Sequence, residues 1–184
     1  RTVNRAGKEA IADLAVSLIG DGMTILLDSG TTTEALARAL ARSDRKRLIV
    51  HTTSLENARL VSRLGGARVF LIGGEFDRNE DATTGPETLR AIARLSADFA
   101  FVSVGGVDPG GYATDYTRAG AATRTALLNA AEQGFLMADN SKFGLVLPSR
   151  IGGDKPCAGL LVDQALPAPL AAKLAEQGVR VHAG

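Results

Sequence analysis

Short apolar runs alternate with amphipathic stripes along almost the whole chain. From Gly7 to Ile19 the apolar residues Ile11, Leu14, Ala15, Leu18 and Ile19 fall at helical spacing, so this segment reads as a helix with one buried face. Gly20-Asp21-Gly22 ends it, and residues 23–28 read as a strand. A polar turn follows, then the pattern Glu34-Ala35-Leu36-Ala37-Arg38-Ala39-Leu40 of a helix running to about Arg42. Further strands are predicted at residues 47–51, 67–72, 99–104, 134–138, 157–162 and 179–181. Between them lie helices over residues 53–64, from Thr84 onward, over 121–132 and over 167–177. Strands that alternate with helices in this way predict an α/β fold, a mostly parallel sheet flanked by helices on both faces. Two connections, residues 73–85 and 105–118, are long and polar and read as functional loops. No tandem repeat or interdomain linker interrupts the pattern, so residues 1–184 read as a single domain.

The pattern turns from strand to helix most informatively at Leu27-Asp28-Ser29-Gly30-Thr31-Thr32-Thr33-Glu34. Free N–H groups of a first helical turn and the aligned peptide dipoles favour negative charge at such a junction. Gly30 permits close approach of a ligand to the backbone, and Ser29, Thr31 and Thr32 add hydroxyls. The plain alternative is a capping box, since Thr31 and Glu34 have Thr-x-x-Glu spacing; Thr53/Glu56 and Thr84/Glu87 repeat it. Capping explains one threonine and one glutamate but not the surrounding run of hydroxyls.

Composition narrows the function. Lys plus Arg is 21 against 20 Asp plus Glu, a net charge of +1, which argues against a nucleic-acid-binding surface on this piece. The 45% hydrophobic content supplies a core and excludes a disordered chain. One cysteine, Cys157, permits no intrachain disulfide and suits a reducing, cytoplasmic home. No signal segment opens the chain and no apolar run approaches the ~18 residues of a membrane span. The chain begins at Arg1, not methionine, and is expected to be a domain from a longer protein.

Ligands of open parallel sheets bind beyond the carboxyl ends of the strands. Those ends carry Asp28–Thr32, Thr52-Thr53-Ser54, Gly73-Gly74, Gly105-Gly106 and Asp139-Asn140-Ser141-Lys142, which are expected to face one crevice. Small residues, hydroxyls, N–H donors and one lysine make an inventory for a small polyhydroxylated anion such as a sugar phosphate. Catalytic groups are sparse. His51 has no nucleophilic partner and reads as structural, and Cys157 reads as core. Asp28, Asp115 and Asp139 are candidate acids or bases that equally suit turns. No metal-ligand spacing, dinucleotide fingerprint or Walker lysine is present, so neither metal nor cofactor is expected.

The segments Leu27–Thr32, Thr52-Thr53-Ser54-Leu55, Ile72-Gly73-Gly74, Thr84-Gly85-Pro86 and Ala138–Gly144 occur in the order and spacing of another group. Together they resemble the C-terminal effector-sensing domain of DeoR-type bacterial transcriptional regulators, over nearly the whole chain. The resemblance implies a fold related to ribose-5-phosphate isomerase, glucosamine-6-phosphate deaminase and the CoA transferases. It implies a phosphorylated sugar or related small anionic metabolite as effector, and an N-terminal winged helix-turn-helix domain, absent here, through which alone DNA is bound. It also implies a homo-oligomer. By resemblance, Ser29, Gly30, Thr31 and Thr32 hold phosphate, Lys142 pairs with it, and Gly73, Gly74 and Gly105 line the sugar pocket. Asp28, Thr53, Ser54, Gly85, Arg124 and Asp139 complete the expected ligand-binding set. The chain departs from the family pattern at Thr53, where asparagine is usual, and at Ala119 and Thr123, which replace a glutamate and a lysine. Arg124 retains the arginine. Three functions follow: a sensor that binds without turnover, a sugar-phosphate isomerase-like enzyme using Asp115 or Asp139 in the same crevice, and an oligomerisation module with a vestigial pocket. The sensor accounts for the most residues.

Overall fold

The computed structural model describes residues 3–184. The chain opens with α1 (Arg5–Leu18), β1 (Thr24–Leu27), α2 (Thr31–Ala41), β2 (Ile49–Thr52), α3 (Leu55–Val61) and β3 (Arg68–Leu71). A hairpin, β4 (Glu75–Asp77) and β5 (Ala82–Thr84), leads into α4 (Pro86–Ala93) and β6 (Ala97–Ser103). Then come β7 (Gly106–Val107), β8 (Ala113–Asp115), α5 (Arg118–Asn129) and β9 (Ala131–Ala138). A 3-10 turn over Asn140–Lys142, β10 (Ser149–Ile151), β11 (Gly159–Val162), α6 (Ala168–Glu176) and β12 (Arg180–Ala183) complete it.

All neighbours in the central sheet are parallel, in the order β12-β11-β9-β6-β1-β2-β3. The seven strands are those that the apolar runs predict. Their alternating side chains divide the interior into two layers. Ile25, Leu27, Val50, Phe101, Phe135, Met137 and Leu161 point to one face and pack under α1, α2 and α3. Leu26, Ala100, Val102, Leu136, Leu160 and Val162 point to the other, under α4, α5 and α6. Central strands are apolar at consecutive positions because both faces are covered. Burying one such leucine or phenylalanine contributes roughly 1.5–3 kcal/mol. Among the described residues, no helix is long and apolar enough to cross a membrane.

The two long connections are corrected by the structure. Residues 73–85 contain the antiparallel β4–β5 hairpin, fastened by Thr83, whose N–H donates to Thr53 O (2.9 Å) and whose hydroxyl donates to Ile72 O (2.7 Å). Residues 105–118 contribute β7 and β8 to a three-stranded antiparallel sheet with β10. Strands of two or three residues are too short for alternation to reveal them. Asp108 closes the β7–β8 turn by accepting from the N–H groups of Gly110 and Tyr112. The helix expected over 121–132 instead covers 118–129, because Thr117 caps it through the Gly120 N–H and the last residues pair with β6 as part of β9.

The capping boxes are also corrected. Gly30, at φ 118°, caps α2 without any side-chain bond, while Glu34 pairs with Arg38. Gly85, at φ 98°, caps α4 in the same way, ahead of Pro86. Ser54, not Thr53, caps α3 by accepting from the Asn57 N–H at 3.0 Å. Both glycine caps occupy backbone conformations that a β-carbon disfavours, and both leave first-turn N–H groups without a side-chain partner.

Candidate functional site

The chain leaves β1 towards β2 and β3, then returns to β1's other side with β6. The crevice between the carboxyl ends of β1 and β6 is therefore the topological switch point, where open parallel sheets bind ligands. Asp28 stands there, 2% exposed, and its Oδ2 accepts from the Ser103 N–H (3.0 Å) at the end of β6. The same oxygen accepts from Arg124 Nε at 2.7 Å, while Arg124 Nη1 bonds Asp115 Oδ2. Arg124 comes from α5 and Asp115 from the end of β8, so one guanidinium clamps β1, β8 and α5 together. Its side chain is 12% exposed. Burial opposes the charge on Arg124, but Asp28 and Asp115 outweigh it and hold the guanidinium above its ordinary value. Burial pushes the Asp28 carboxyl up, against the pull of Arg124 and the Ser29 and Ser103 N–H groups.

Above this clamp lies a cavity of about 190 Å³, lined by Asp28, Ser29, Thr53, Asp115, Thr123 and Arg124, with Asp77 and Glu80 contributed by the β4–β5 hairpin. One of its hydroxyls is unusual. Thr53 is fully buried at the wall and its Oγ1 has no hydrogen-bond partner among the described residues; outside the lining, Ser103 Oγ beside Gly30 has none either. Buried polar atoms are normally paired, so unpaired ones call for an explanation such as a ligand. Asn57 steadies the floor from α3, donating from Nδ2 to Asp28 O (2.8 Å) and Thr33 Oγ1 (3.3 Å).

The residues singled out in the sequence divide among several places. Asp28, Ser29, Thr53 and Arg124 meet in the cavity, and Gly30 begins α2 beside it. Thr32 is buried, whereas Thr31 is exposed in a groove between α1 and α2 with Lys8, Glu9 and Arg38. Ser54 has a structural role: besides capping α3, its hydroxyl donates to Asp81 at 2.5 Å. Gly74 and Gly85 line a separate surface cleft with Glu75, Pro86, Glu87 and Arg90. Gly73 O accepts from the Thr88 hydroxyl at 2.8 Å. A β-carbon on Gly105 would meet Leu147 at 2.7 Å, so this glycine answers to packing. Asp139 caps its own turn, accepting from the N–H (3.0 Å) and hydroxyl (2.6 Å) of Ser141. Burial opposes its ionisation, but those bonds and nearby Lys142 hold it below the ordinary value. Lys142 is half-buried and makes no ion pair among the described residues.

His51 stacks on Phe70 (ring centroids 4.7 Å apart), and burial lowers its pKa. Cys157 packs against the core, and burial pushes its thiol up to about 11. Both serve the structure, as their sequence contexts suggest. Asn57, Ser103, Asp77 and Glu80 escaped the sequence reading. Only pairing between distant segments brings them together, and each alone is an ordinary polar residue of a first helical turn, a strand end or a hairpin. Among the described residues no group of three or more His, Cys, Asp or Glu side chains is placed to hold a metal ion.

Solved structures share the architecture at low identity. A D-ribose-5-phosphate isomerase solved with phospho-erythronic acid superposes with TM-score 0.53 and 18% identity, over 74% of this chain and 52% of that one. The eIF2B delta subunit of Chaetomium thermophilum gives TM-score 0.62 at 14% identity, over 89% of this chain and 57% of that one. Sequence relatives are transcriptional repressors. The glycerol-3-phosphate regulon repressor of Escherichia coli K12 is 30% identical over 137 residues, 74% of this chain and 54% of that protein. The HTH-type transcriptional repressor CsqR of the same organism is 28% identical over 174 residues, 95% of this chain and 66% of that protein. The chain thus spans between about half and two thirds of these relatives' length. Residues 3–164 match the DeoR C-terminal sensor domain, and the chain belongs to that family.

Proposed function

We propose that this chain is the effector-sensing domain of a cytoplasmic, homo-oligomeric transcriptional regulator, binding a phosphorylated sugar or related small anionic metabolite without turnover. The observation that carries this reading is the union, at one switch point, of a helix end with no side-chain cap and a cavity bearing the unpartnered buried hydroxyl of Thr53. The phosphate belongs at the N–H groups that open α2, with Ser29 and Gly30 beside it and Lys142 as the approaching cation. The sugar hydroxyls then face Asp28, Thr53 and Asp115. Binding alters the DNA affinity of an upstream domain to the extent that the ligand prefers one arrangement of the two.

The aspartates that the sequence offers as acids or bases are not free to act in catalysis. An isomerase needs a base free to take a carbon-bound proton. Asp28 and Asp115 are engaged with Arg124, and Asp139 is engaged with Ser141. A thermal-shift panel of sugar phosphates, each beside its unphosphorylated parent, tests the proposal. A ligand at a hundred times its Kd stabilises by about 2.7 kcal/mol, which is several degrees for a domain of this size. The expected result is a shift confined to a few phosphorylated compounds, none of which is converted on incubation. No shift with any phosphate, or turnover of the binder, would overturn it. Light scattering on the same sample tests the homo-oligomer.

A further inference from the structure

The cavity at the β1/β6 switch point is lined by four carboxylates, Asp28, Asp77, Glu80 and Asp115, and by one cation, Arg124. Arg124 is committed to Asp28 and Asp115. Asp77 and Glu80 form no ion pair among the described residues; Asp77 accepts only from the Asn79 N–H of its own turn. The rest of the wall consists of neutral residues such as Thr84, Thr117, Ala119 and Thr123. Negative charge at the hairpin side of the cavity is therefore left without a partner. Elsewhere in the lining, fully buried Thr53 holds an Oγ1 that nothing among the described residues satisfies.

Sugar hydroxyls can donate to those carboxylates but bring no counter-charge, and an anionic group placed beside them is repelled. An ammonium group does the opposite, donating charge-assisted hydrogen bonds to carboxylates. At about 190 Å³ the cavity is smaller than the roughly 300 Å³ at which drug-sized pockets begin, which suits a monosaccharide and not a peptide or polyamine chain. We propose that the effector is an amino sugar, held with its protonated amine against Asp77 and Glu80 and its phosphate at the start of α2. This inference rests on the sensor reading above and narrows its ligand class.

The test is calorimetric titration of the chain with three matched probes at one ionic strength: a 2-amino-2-deoxyhexose 6-phosphate, its N-acetyl derivative and the parent hexose 6-phosphate. Each set is run in the gluco and galacto configurations. The amino compound of one configuration is expected to bind about tenfold or more tightly than both counterparts, the scale of a charge-assisted contact. In the double variant Asp77→Asn, Glu80→Gln, whose changes lie on an accessible hairpin, that preference is expected to fall to near unity. Equal or tighter binding of the parent or N-acetyl compound would overturn the inference while leaving the sensor reading in place. A preference that survives the double variant would overturn it too. If none of these probes binds, this inference falls; the sensor reading falls with it only where the wider panel of sugar phosphates gives no thermal shift either.

Discussion

Arg124 holds the floor of the cavity by joining two carboxylates that would otherwise be buried without a counter-charge. Removing one partner of a buried pair is far costlier than replacing the whole pair. Arg124→Met is expected to lose about 3–5 kcal/mol in urea unfolding. A loss under about 1 kcal/mol would contradict the clamp, and Asp28→Asn added to Arg124→Met should restore part of the stability. Gly74 is the second exacting position, with φ 144° and a β-carbon position only 1.9 Å from Thr88 Oγ1. Gly74→Ala is expected to destabilise by roughly 1–3 kcal/mol; an unchanged Tm would show that Thr88 simply moves aside. Asp139 makes a pH prediction. Its folded pKa lies below the 3.8 of an unperturbed aspartate, so the unfolded chain binds more protons in acid. The contribution is present above that value and disappears as pH falls through the folded one. Asp28, raised by burial, works in the opposite sense. Asp139→Asn should therefore flatten the loss of stability on acidification, measured as Tm against pH.

Among the elements, α2 and the turn after β9 share the anion in the proposed site. Lys142→Ala is expected to weaken a bound sugar phosphate by about tenfold in titration while leaving Tm unchanged. Thr31→Val should have a smaller effect, because Thr31 faces the groove beside α1 and its backbone N–H is retained. Equal losses would place the phosphate elsewhere. Apolar runs disclose the central strands of the parallel sheet because these are buried on two faces, as Ile25-Leu26-Leu27 shows, while the edge strands β3 and β12 keep short apolar runs although they are largely exposed. The β4–β5 hairpin and the β7-β8-β10 sheet stay hidden because their strands are two or three residues long and half polar. The site is legible to a similar depth. Asp28, Ser29 and Thr53 can be found from strand ends alone, and Arg124 only through family resemblance. Asp77 and Glu80 reach the cavity through a hairpin turn that no local pattern announces. Glycines mislead for the converse reason: Gly74 and Gly105 serve packing against Thr88 and Leu147, which a single sequence cannot distinguish from making room for a ligand.

At the scale of the whole molecule, the parallel sheet gathers every strand's carboxyl end along one edge, and the switch between β1 and β6 opens that edge where the clamp, the uncapped helix and the hydroxyls meet. A net charge of +1 agrees with the proposed regulator, in which an upstream domain binds the DNA. The most direct test of where the effector seats is amide hydrogen exchange on the chain with and without the hexose 6-phosphate that gives the largest thermal shift. The account predicts new protection concentrated at residues 28–34, where the N–H groups opening α2 meet the phosphate, with less at residues 139–144. Protection confined to the Gly74–Gly85 cleft or to the α1–α2 groove, or none at all under saturating ligand, would contradict it.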